Sequence, residues 1–167
     1  MLATVLVTYP WMTTVALVVL AGLGPVAGAW LARRPRATLG LLVVSVLAVG
    51  FLTLVPTSRE LPTGCAVEWA VPRLGAVELM ANVIMFAPPV LLAGVLTRRP
   101  LVSLLAASGA SALIEAFQAL VPALGRSCST NDWLANTLGA LLGALLAVVA
   151  VRRARRARLA GPRTRAD

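Results

Sequence analysis

Five apolar stretches, at 11–32, 37–56, 79–97, 101–121 and 133–151, constrain this chain more than any other feature of its sequence. Each is close to the roughly 20 residues that a helix needs to cross a bilayer core. A single charged residue, Glu115, lies inside any of them. Buried helices of soluble proteins rarely run so long without charge, and five in succession exclude a soluble α-bundle. The pattern predicts an all-α, polytopic integral membrane protein with five transmembrane helices. The first stretch has no basic residues before it and is too long for a signal peptide, so it reads as a retained span, with a kink expected at Pro25.

The net charge of +9 does not point to nucleic acid, because its distribution follows the spans. All fifteen cations are Arg. Twelve fall on one side: Arg33, Arg34 and Arg36 after the first span, Arg98 and Arg99 after the third, and seven from Arg152 to Arg165 after the fifth. The other side holds Arg59, Arg73 and Arg126. Cytoplasmic loops carry the Arg excess, so the N-terminus is expected outside and the C-terminus inside. The chain then divides into two scaffold helices (1–56), an outer loop (57–78), a three-helix core (79–151) and a basic cytoplasmic tail (152–167) suited to anionic lipid.

Cys65 and Cys128 fall one in each outer loop, on the side where disulfides persist. If they pair, the bridge pins the long loop to the turn between the last two spans; the alternative is two unrelated thiols. Without His, a metal site is not expected, and no cofactor is implied.

The polar residues of the last three spans gather near one face. Asn82 lies a few residues into the third span, Glu115 and Gln118 near the end of the fourth, and Asn136 a few residues into the fifth. At 1.5 Å per residue these groups lie on the order of 5–10 Å below the outer helix ends. Glu78 and Asn82 share a helical face with Phe86, and Asp132, Asn136, Gly139 and Gly143 form one stripe. Gly139 and Gly143 make a small-xxx-small pattern that admits close helix approach. Ser129 and Asp132 have capping-box spacing and are expected to start the fifth helix. A carboxylate inside a span needs a partner, and Arg126 in the adjoining loop is the natural candidate. Polar contact between helices alone would account for the cluster, as would a functional site.

These residues carry a resemblance. Asn82-Val-Ile-Met-Phe86-Ala-Pro88, then Glu115-Ala-Phe-Gln118, Arg126, Asp132 and Asn136-Thr137-Leu138-Gly139 with Gly143 match in order and spacing the pattern of the VanZ-like family of bacterial membrane proteins, over about 62 residues. The family usually has an acidic residue where Ser129 stands, and a Gly where Val90 stands. The resemblance implies a multi-pass protein of the bacterial cytoplasmic membrane with a role in the cell envelope. The family takes its name from a protein of glycopeptide resistance clusters, associated with teicoplanin. Three function classes follow. In the first, Asn82, Glu115, Gln118, Arg126, Asp132 and Asn136 bind a lipid or lipid-linked envelope precursor, with Arg126 on phosphate. In the second, Glu115 or Asp132 acts as acid or base on such a lipid. In the third, the protein is a small transporter or channel, a reading disfavoured by the apolar inner halves of the spans.

Overall fold

The computed structural model describes residues 8–57, 64–69 and 76–160. Five long helices account for most of it: α1 (Trp11–Leu31), α2 (Pro35–Leu54), α3 (Val77–Thr97), α4 (Pro100–Leu120) and α5 (Thr130–Leu159). All five are long and apolar enough to cross a membrane. The protein is thus a multi-pass membrane protein. Among the described residues, the other elements are a 3-10 turn at Pro122–Leu124 and two short strands, β1 (Cys65–Ala66) and β2 (Cys128–Ser129), which pair in parallel.

The helix starts follow local chemistry. Pro35 and Pro100 stand at the first turns of α2 and α4, where a missing N–H costs nothing. Arg98 ends α3 in a left-handed conformation, which turns the chain into α4 within two residues. Between α1 and α2, the buried Thr38 hydroxyl donates to the Leu31 carbonyl at 2.8 Å and so holds that turn closed. α1 runs unbroken through Pro25.

α1, α3 and α5 point the same way; α3 and α5 form the centre, and α1 packs against both. Gly139 and Gly143 of α5 lie against the backbone of Val83 and Ala87 of α3, so close that a methyl group on either would meet a carbonyl oxygen. Farther along, Gly94 of α3 abuts Ala147, and Gly28 of α1 abuts Ala150. Leu91, Val95, Leu146, Ala147 and Ala150 make the apolar core between these helices. With lipid on the outside, no hydrophobic force drives helices together, and close packing through small residues takes its place. α2 and α4 run the opposite way on the periphery, with large apolar side chains such as Val44, Phe51, Leu105 and Leu113 turned outward.

The fifth helix runs on past the end of its apolar stretch at residue 151. It continues to Leu159 and measures about 45 Å over its 30 residues, against a hydrocarbon core of roughly 30 Å. Arg152–Leu159 is therefore an extension of the span, with Ala154 still buried against the bundle.

The alternating directions place two unlike ends. One holds Arg33, Arg34, Arg36, Arg98 and Arg99 with the Arg-bearing end of α5. The other holds the N-termini of α1, α3 and α5 together with β1 and β2. Glu78 and Asp132 sit in the first turns of α3 and α5, where negative charge opposes the helix dipole.

Candidate functional site

The site is built from the inward face of α4. This helix buries four residues, Ser103, Ser111, Glu115 and Gln118, and all four are polar. Most of its apolar residues face outward, as expected where lipid is the solvent, while Leu104 and Ala107 pack against Val90, Ala140 and Ala144. The polar face meets α5 as a ladder. Ser108 and Thr137 share a hydrogen bond of 2.9 Å, Asn136 Nδ2 donates to Ser111 Oγ at 2.9 Å, and Trp133 Nε1 donates to the Ser108 carbonyl at 3.2 Å. Asn136 is 2% exposed, yet its Oδ1 has no partner. Buried acceptors of that kind are uncommon and call for a reason.

Glu115 ends the ladder by capping a different helix. Its Oε2 accepts the Ser129 backbone N–H at 2.9 Å. Ser129 is the N-cap of α5, and its own side chain accepts from Asn131 N at 3.1 Å. In a capping box, the residue three positions after the cap returns a bond to the cap N–H. Asp132 occupies that position, but its Oδ1 accepts from Asn82 Nδ2 of α3 at 2.7 Å. The expected box is therefore completed from α4, by Glu115. Two carboxylates thereby fix the start of α5 to α4 and to α3.

Arg126 does not pair with Glu115. Its Nε and Nη2 donate to the Val55 carbonyl at 3.3 and 3.1 Å, and Gln118 Nε2 donates to the Thr53 carbonyl at 2.8 Å. The last carbonyls of a helix have no partner within it, which makes the end of α2 a stronger magnet for these donors than a carboxylate already bonded to a backbone N–H. This also amends the scaffold assignment for the first two spans, since the C-terminal end of α2 is a wall of the site. Thr57 strengthens that wall, donating its N–H to the Leu124 carbonyl at 2.9 Å and its hydroxyl to Gly125.

A cap covers the cluster. Cys65 and Cys128 are joined by a disulfide and sit opposite one another in the β1–β2 ladder. The Thr130 hydroxyl accepts from the Glu68 N–H at 2.8 Å and donates to the Glu68 carbonyl, and Asn131 Nδ2 donates to Glu68 Oε2 at 3.3 Å. Of the expected packing residues, Phe86 is buried with Gly139 and Gly143, and Pro88 is half-buried.

Two hollows meet under this cap. One, of about 330 Å³, lies between α4 and α5 and is walled by Ala112, Ala116, Ala119 and Trp133, with Glu115 and the disulfide at its edge. The other, of about 610 Å³, opens between α3 and β2 and is lined by Glu68, Glu78, Ser127, Asn131 and Asp132. Cys128 and Ser129 line both. Among the described residues, Arg126 lines neither hollow, and the second one carries the side chains of Glu68, Glu78, Asn131 and Asp132 beside apolar Ala66, Ala76, Val77 and Leu79. Among the described residues, no three His, Cys, Asp or Glu side chains are grouped to hold a metal ion.

The structure thus joins Asn82 to Asp132, seats Glu115 on Ser129, turns Gln118 and Arg126 toward α2, and sets Asn136 on Ser111. Ser111 and Glu68 were not singled out by the sequence pattern. Ser111 had a signal, because Ser108, Ser111, Glu115 and Gln118 recur at helical spacing; Glu68 had none.

Neither the curated proteins nor the solved structures contain a match to this chain. The family model for VanZ/LLP1 matches residues 42–151, about two thirds of the sequence. The matched segment begins inside α2 and ends within α5, so it takes in every residue of the site, including the carbonyls of Thr53 and Val55. The chain belongs to the VanZ/LLP1 family.

Proposed function

We propose that the protein binds a membrane amphiphile at the polar end of the bundle, as a lipid or lipid-linked precursor of the bacterial envelope. The observation that carries this reading is the junction, at Cys128 and Ser129, of an apolar hollow with a mixed one that carries carboxylate and amide side chains. The alanine-walled hollow suits a hydrocarbon chain. The acceptor-lined hollow suits a headgroup rich in donors, such as hydroxyls or an ammonium group. Arg126, expected on phosphate, directs two of its five N–H donors at the Val55 carbonyl and lines neither hollow.

The protein sits in the cytoplasmic membrane with its polar end outward. Support comes from twelve Arg against three across the spans and from a disulfide at the polar end. In keeping with the family resemblance, the role extends to glycopeptide tolerance, so a strain without the protein is more sensitive to teicoplanin.

Melting of the purified protein in detergent, with and without added lipids of different headgroup, tests the binding. A stabilising lipid is expected, since a ligand that binds only the folded state raises its melting temperature. Asp132→Asn is expected to weaken the effect from the headgroup side and Ala116→Leu from the chain side. If both variants keep the full lipid response, the hollows are not the site.

A further inference from the structure

The loop that carries β1 leaves two large apolar side chains uncovered. Val67 is 73% exposed and Trp69 is 66% exposed. Glu68 between them is tied inward to Thr130 and Asn131, so the backbone alternation of an extended segment turns Val67 and Trp69 away from α5. The disulfide to Cys128 and the pairing with β2 hold this segment from the other end.

A water-facing loop has no use for a clamped, exposed Trp. Its depth supplies the reason. Trp69 meets the ring of Trp133 edge-on, at 6.4 Å between centroids. Trp133 lies in the first turns of α5, where that helix enters the apolar layer. Tyr9 and Trp11, at the same end of the bundle, are also exposed, at 50% and 61%. Amphipathic aromatic rings collect at the boundary between headgroups and acyl chains.

We infer that residues 64–69 lie in the interfacial layer of the membrane, with Val67 and Trp69 immersed among the lipids of that leaflet. The segment is a fixed apolar fin, beside the mouth of the alanine-walled hollow that Cys65 and Trp133 also line. This inference stands whether or not the hollows bind a lipid, because it rests on exposure and depth alone.

Fluorescence quenching tests it on the full protein in phosphatidylcholine vesicles. The difference in emission between the native protein and Trp69→Phe isolates one of the four tryptophans. That difference signal is expected to lose most of its intensity to lipids brominated near the carbonyls, less to lipids brominated near the chain ends, and little to iodide in the water. Val67→Trp in the Trp69→Phe background is expected to restore a signal with the same profile. Quenching by iodide without quenching by shallow bromines puts the segment in water and overturns the inference. Quenching by neither overturns it too, since protein, a second copy included, would then cover the ring.

Discussion

At the residue scale, Glu115 is a carboxylate used as a helix cap for a neighbouring segment. Its partner is a main-chain N–H, which no side-chain pattern displays, and this is why the sequence points to Arg126 instead. The distinction has a measurable outcome. Glu115→Gln keeps an oxygen in reach of Ser129 N and is expected to stay within about 1 kcal/mol of the native protein in detergent unfolding. Glu115→Ala leaves that N–H buried without a partner and is expected to cost about 1–3 kcal/mol. Equal losses in the two variants would show that the charge, not the cap, matters. Asn82 and Asp132 were legible as members of one cluster, since helical spacing aims them both at the bundle interior. Their direct bond was not legible, because it depends on the register between α3 and α5.

At the element scale, spacing told more. Hydropathy located all five helices, and four of them within about three residues at each end. The exception is the far end of α5, where Arg replaces apolar residues while Ala and Arg still favour helix. Hydropathy reads the end of the membrane, not the end of the helix. The glycine pattern of α5 announced close packing, and the structure supplies the partner, the backbone of α3. Gly139→Ala and Gly143→Ala are expected to cost about 1–3 kcal/mol each, because the carbonyls of Val83 and Ala87 cannot swing aside as a side chain can. Gly40 and Gly109 have nothing near the added methyl. Their Ala variants are expected to be neutral or to stabilise by up to about 1 kcal/mol. A steric trap or SDS titration of the four variants separates the two pairs.

At the scale of the whole molecule, the bundle is a parallel trio with two antiparallel helices on its flanks. Charge and hydropathy foretold the alternation, but not which helices would meet, since contact order among spans follows small-residue faces that recur throughout an Ala- and Gly-rich chain. The disulfide closes a long loop, its cysteines 63 positions apart in sequence. Chain-entropy arguments put an upper bound of about 4 kcal/mol on its effect. Cys65→Ser with Cys128→Ser is therefore expected to lower the unfolding temperature and to loosen the cap at residues 64–69, read by faster proteolysis there, while the core of α1, α3 and α5 keeps its helical signal. An unchanged proteolysis pattern would mean that β1 is held by Thr130 and Asn131 alone.

The parallel trio also sets an order of assembly. Helices that run the same way cannot be chain neighbours, so each member of the trio emerges only after an antiparallel helix has been threaded between. Each member touches both of the others, and α5, which packs most extensively, is the last of the five to be synthesised. Until it enters the membrane, α1 and α3 have only their own contact, of Gly28 with Leu91 and Val95, Glu115 has no cap to form, and Cys65 waits for a thiol 63 positions downstream. A ribosome that stalls before Thr130 therefore leaves four inserted helices and no site. The polar end of the bundle is the final product of biogenesis, closed by the bridge from Cys65 to Cys128.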